Sequence, residues 1–161
     1  MKIDNIDIFP YELNFKEDYK NSLIKINKRN GWIVKISSNG FSGFGDAAPL
    51  DSFSHESYNQ SRYGIEGFML ALDLEEDISF EELIQLSEAH GELQPSVEFA
   101  ISSALYDLAS KLNCVPVRQF ISPSNLDFVK VCYYENHNVR KFDNMVVKIK
   151  VMDTNLFDQV D

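Results

Sequence analysis

The sequence predicts an α+β domain, an antiparallel meander followed by a helical bundle, and after it the truncated start of a (β/α) barrel. Three observations carry this reading: alternation at period two with turn dipeptides before residue 50, helical periodicity from residue 54, and a return to short apolar runs after Pro116. Ile6 and Ile8 alternate with acids, and Tyr11, Leu13 and Phe15 continue the alternation beyond Pro10. Residues 22–27 read as a second strand and residues 32–37 as a third, joined by a hairpin at Asn30-Gly31, since both positions of an Asn-Gly turn tolerate φ > 0. Ser38-Asn39-Gly40 then turns the chain into residues 41–46, giving a sheet of three or four strands with one covered face.

Ser54 is placed to cap a helix whose apolar positions are Ile65, Phe68, Met69 and Leu72, with Gly64 and Gly67 marking a bend or a tight approach. Ser79-Phe80-Glu81-Glu82 is a capping box, with Ile78 and Leu83 as a hydrophobic staple. The strongest helix starts at Pro95, where Val97, Ala100, Ile101, Ala104, Leu105, Leu108, Ala109 and Leu112 form one stripe. Residues 128–134 (FVKVCYY) and 144–152 (NMVVKIKVM) are apolar on both faces, as in a parallel sheet. The turn residues of 121–127 mark the boundary, so residues 1–121 form the α+β domain and residues 122–161 the start of the second unit.

Composition excludes several classes of function. The 161 residues carry 15 Lys+Arg against 25 Asp+Glu, a net charge of −10, so phosphate-rich partners have no cationic surface to meet. Nucleic acid and anionic membranes are therefore not expected partners. Hydrophobic residues make up 44%, enough for a core and against disorder. Cys114 and Cys132 have neither metal-ligand spacing nor a disulfide framework, and the amphipathic first residues resemble neither a signal peptide nor an anchor; a reducing, cytoplasmic setting is expected.

Few stretches invite chemistry. Gly40-Phe41-Ser42-Gly43-Phe44-Gly45 has neither dinucleotide nor Walker spacing, which favours structural glycines in a twisted strand. The acids at 75–77 and 81–82 read as a solvated helix start. His55, His90 and His137 share no spacing. Lys148-Ile149-Lys150 is the sharpest feature: in a strand both ammonium groups share one face. On an exposed strand they are a solvated lysine face; inside a parallel barrel each lowers the other's proton affinity, and one becomes a general base.

Gly43-Phe44-Gly45-Asp46-Ala47-Ala48-Pro49-Leu50, a helical bundle and then a Lys-x-Lys strand follow in the order used by the enolase superfamily, which this sequence resembles. Its nearest branch is o-succinylbenzoate synthase of menaquinone biosynthesis, on the strength of Pro49-Leu50-Asp51-Ser52-Phe53-Ser54-His55-Glu56-Ser57, similar to that branch's PLPGFS-x-E-[ST] loop, and of residues 95–108. Asp46 stands where Glu is common, and Asp51-Ser52 replace Pro-Gly. The resemblance implies a capping domain whose early loop around residues 15–19 and later loop at Ser52, Phe53 and Ser54 cover a small carboxylate substrate. It implies Lys150 as the base of a syn dehydration, assisted by Lys148, and Mg²⁺ held by ligands from later barrel strands that this chain does not contain.

The chain ends at Asp161, inside the helix expected after the second barrel strand, whereas a whole barrel runs to about 250 residues. The expectation is an N-terminal fragment, inactive alone, with the missing barrel half in cis or from a second chain. The alternatives are a dipeptide epimerase, an N-acylamino-acid racemase, a muconate cycloisomerase, or a non-catalytic α+β binding module.

Overall fold

The structure, a computed structural model, describes residues 1–20, 25–50, 54–122, and the backbone of 132–135 and 146–149. The chain divides into two compact units, Met1–Pro123 and Ser124–Asp161.

The first unit opens with a three-stranded antiparallel sheet, β1 (Asn5–Lys20), β2 (Lys25–Ser38) and β3 (Phe41–Ala47), in the order β1-β2-β3. The expected four-strand alternative fails because residues 25–38 form one strand that runs straight through Asn30-Gly31. Gly31 pairs with Tyr11 rather than turning the chain. The reason is steric: a Cβ on Gly31 would lie 2.5 Å from Tyr11 Cζ, so the glycine makes room for an aromatic ring. The other Asn-Gly does turn. Asn39 and Gly40 both have positive φ (48° and 77°), and Ser38 pairs directly with Phe41, as a two-residue type I′ hairpin demands. Residues 15–19, expected as a loop, belong to β1; the register jumps between Asn14 and Tyr19, so the extra residues are absorbed as a bulge opposite Asn27. Pro10 lies on β1, an edge strand, where a missing N–H is tolerated.

Four helices follow: α1 (Tyr58–Ala71), α2 (Phe80–Gly91), α3 (Pro95–Leu112) and α4 (Val117–Ile121). Helix α1 is capped by Ser57, not by Ser54. Ser57 accepts from the Gln60 backbone while the Gln60 side chain reaches back to the Ser57 N–H, a reciprocal box that Ser54 has no partner to form. The Ser79–Glu82 box of α2 forms as expected, and its hydrogen bonds hold the Glu82 carboxyl below its ordinary range. The α3 stripe is buried from Val97 to Ala109, with Leu112 half-buried at its end.

Helix α3 lies on β3 and β2 because two glycines permit it. A Cβ on Gly45 would sit 2.7 Å from the carbonyl carbon of Ala100, and one on Gly43 would sit 2.5 Å from the Leu108 nitrogen. The glycine-rich run is thus structural. The same helix covers the open edge of β3: Asp107 accepts from the Phe44 N–H at 3.0 Å, and Lys111 donates to the Ser42 carbonyl at 2.7 Å. An ion pair between Lys111 and Asp107 at 2.8 Å joins these two contacts and blunts a strand edge that would otherwise offer free pairing groups. Helix α4, which the sequence reading did not anticipate, is held by an edge-on aromatic cluster of Phe80, Tyr106 and Phe120 with centroids 5.1–6.1 Å apart.

In the second unit β4 (Cys132–Glu135) and β5 (Val146–Ile149) pair in parallel, with Tyr134 opposite Lys148. This is the pairing expected of a barrel start, since parallel neighbours require a crossover rather than a hairpin. The predicted strand residues 128–131, 144–145 and 150–152 lie outside the described residues. Substituting Gly45→Ala is expected to destabilise the first unit by about 1–3 kcal/mol through overpacking, read as a lowered midpoint in urea unfolding.

Candidate functional site

Where β3 ends, three chain segments are tied together. The Tyr11 hydroxyl donates to both carboxylate oxygens of Asp46, at 2.8 and 3.1 Å. The Arg29 guanidinium donates to the carbonyl of Ala48. Burial, then the hydrogen bond and charge of Asp46, push the Tyr11 phenol up to about 12, with Arg29 pulling the other way. Tyr11 therefore remains a donor at every physiological pH. Beside it the Trp32 indole donates to the Tyr58 carbonyl at 3.0 Å, and the two rings stack with centroids 4.5 Å apart. A cleft of about 70 Å³ lies between the first residues of β2 and the segment after β3, lined by Ile26, Lys28, Arg29, Asn30, Pro49, Leu50 and Tyr58.

The loop following β3 is pinned at both ends. Pro49 is buried, and Leu50 and Ser54 exchange two hydrogen bonds: the Ser54 N–H donates to the Leu50 carbonyl at 2.8 Å, and the Leu50 N–H donates to Ser54 Oγ at 3.1 Å. Glu56 is the second pin. It is only 4% exposed, and its Oε1 accepts from the Ser96 backbone N–H at 2.8 Å. Gln94, the N-cap of α3, makes no side-chain cap, so a carboxylate 40 residues upstream caps the helix instead.

Of the expected site residues, Ser54 is described and serves this turn. Lys148 is on β5 at the register position of Tyr134. Lys150, Ser52 and Phe53, together with His137, lie outside the described residues. Sequence reasoning gave no role to Tyr11, Arg29 or Glu56. Glu56 was visible as the acid of the loop motif, but burial of an acid in a polar stretch leaves no periodic signal. Among the described residues no group of three or more His, Cys, Asp or Glu is arranged to hold a metal ion; the resemblance takes its Mg²⁺ ligands from later barrel strands. No described helix is long and apolar enough to cross a membrane.

The three-stranded antiparallel sheet followed by helices has the fold of the N-terminal capping domain of the enolase superfamily. The chain belongs to the family described as MenC, N-terminal domain, whose model matches residues 3–108. An o-succinylbenzoate synthase of Proteus mirabilis (strain HI4320) is 33% identical over 88 residues, 55% of this chain and 24% of that protein. The chain thus spans about a quarter of the length of this curated relative. Among solved structures, a dipeptide epimerase from Cytophaga hutchinsonii, complexed with Mg and the dipeptide D-Ala-L-Val, matches with a TM-score of 0.70 at 22% identity, over 83% of this chain and 37% of that one. An L-Ala-D/L-Glu epimerase from Bacillus subtilis matches with a TM-score of 0.68 at 22% identity, over 75% and 34%. These two likenesses establish the fold.

Two outcomes follow from the geometry. Because the folded phenol of Tyr11 titrates above its ordinary value of 10.0, its contribution to stability is complete below pH 10 and is lost as pH rises toward 12. Phenolate absorbance is expected to show Tyr11 titrating late, as a component that Tyr11→Phe removes, and the same substitution to flatten the fall in melting temperature over that interval. Glu56→Ala is expected to cost about 1–3 kcal/mol in urea unfolding, since it removes the acceptor of the Ser96 N–H at the part-buried start of α3.

Proposed function

We propose that this chain is the N-terminal part of an o-succinylbenzoate synthase, a lyase that forms an aromatic dicarboxylate in menaquinone biosynthesis by syn loss of water from a hydroxy-carboxylate precursor. The match of the MenC N-terminal family over residues 3–108 carries the reading. Residues 1–121 act as the capping domain and residues 122–161 begin the barrel, in a cytoplasmic enzyme acting on a small-molecule carboxylate. The parallel pairing of β4 with β5 supports the barrel assignment, because it is the arrangement in which a Lys-x-Lys strand lines a reaction chamber.

In this reading Lys150, as the free amine, takes the proton α to the substrate carboxylate. The carbon–hydrogen electron pair moves into an enediolate. The same lysine, now an ammonium, returns a proton to the departing hydroxyl on the same face, so the carbon–oxygen bond breaks, the ring double bond forms and water leaves. Lys148 keeps Lys150 deprotonated, because a second ammonium nearby disfavours another positive charge. Ser52, Phe53 and Ser54 are substrate contacts. The divalent ion of the superfamily would draw its ligands from outside the described residues.

The test is Lys150→Ala in an enzyme that contains this chain and a complete barrel. Dehydration is expected to fall by at least about 10³-fold with the circular-dichroism spectrum unchanged. Retained turnover would remove Lys150 from its role. Epimerisation of a dipeptide without any dehydration would transfer the chain to the epimerase branch.

A further inference from the structure

The ring of Tyr11 crosses its own sheet. On β2, residues from Gly31 to Ser38 are buried or half-buried in alternation, while residues 25–30 are mostly exposed, so Gly31 stands where the covered part of β2 gives way to the exposed end of the β1–β2 hairpin. Tyr11 pairs with Gly31, and Asp46 pairs with Ile33 two positions along the same face. To reach Asp46 the phenol must lie flat over Gly31, where a Cβ would meet Tyr11 Cζ and Oη at 2.5 Å. The φ of Gly31 is not positive, so its requirement is for space alone. On the far side of the ring Arg29 acts on the phenol and bonds the Ala48 carbonyl, one residue before buried Pro49. Tyr11, through Asp46, and Arg29, through Ala48, therefore link β1, β2 and the end of β3 from which the chain leads through Leu50 to Ser54.

We propose that Tyr11 is a positioning residue: laid over Gly31 and bonded to Asp46, it holds the hairpin and the Ser54-bearing segment in one fixed relative placement. Its value for substrate placement rests on the reading of Ser54 as a substrate contact; the brace itself does not. Rigid placement of a binding segment matters because small displacements of a contact group forfeit much of its effect.

Hydrogen–deuterium exchange on the 161-residue chain tests it. Tyr11→Phe keeps the ring and removes only the hydroxyl, and is expected to speed exchange about tenfold at both residues 25–30 and 46–50, leaving α2 and α3 protected. Gly31→Ala should reproduce that pattern by lifting the ring, and Asp46→Ala by removing the acceptor. Asp46→Glu, which retains a carboxylate, should restore protection in both segments. Adding Tyr11→Phe to Asp46→Ala should produce no further acceleration. The proposal is overturned if faster exchange is confined to one segment, if the two substitutions add, or if the glutamate fails to rescue. No substrate enters these measurements, so failure of the dehydration reading would leave the brace intact, and loss of the brace would leave that reading standing.

Discussion

The backbone of α3 rests directly against β3, and the rest of the first unit is arranged around that approach. With no side chain at Gly43 or Gly45, the helix comes close enough for Asp107 and Lys111 to reach over the strand and satisfy its outer edge. The same closeness seals the apolar stripe of α3 against Val34, Ile36 and Ala47 of the sheet. Any residue with a Cβ at these two positions would push the helix outward, opening the core and freeing the edge in one movement. Packing and protection from edge-to-edge association thus share one cause.

Much of this was legible because the elements advertise themselves locally. The α3 stripe, the Ser79–Glu82 box and the Asn39-Gly40 turn each lie within a few residues of their partners, and each formed as the pattern required. The misreadings have a common origin in contacts from far along the chain. Asn30-Gly31 carries the same turn signature as Asn39-Gly40, yet its glycine is used for space beneath Tyr11, a requirement that no local pattern contains. Ser54 and Ser57 both stand before the helix, and the choice between them falls to Gln60, three residues beyond Ser57, a signal that was present and passed over. Residues 15–19, a loop by resemblance, remain in the strand because a bulge absorbs them.

The candidate site was legible as a motif and not as a mechanism of attachment. The loop from Pro49 to Ser57 stood out by resemblance to one branch of the superfamily, while the groups that hold it in place, Glu56 beneath and Tyr11 across the sheet, were chemically unremarkable in sequence. Glu56 looks like any acid in a polar loop until the end of α3 arrives above it, and Tyr11 looks like one more member of a period-two run. In both cases the informative fact is which donor or acceptor the fold brings near, and that fact is tertiary.

The trans-cap by Glu56 has an evolutionary corollary. Attachment on one side is provided by Pro49, sunk into the domain, and on the other by a carboxylate seated on a helix that the core already requires. Between these moorings Ser54 closes a turn on Leu50 through two hydrogen bonds. If the proposed substrate contacts are right, the groups that would touch ligand and the groups that moor the loop are different residues, so a change in the first leaves the second in place.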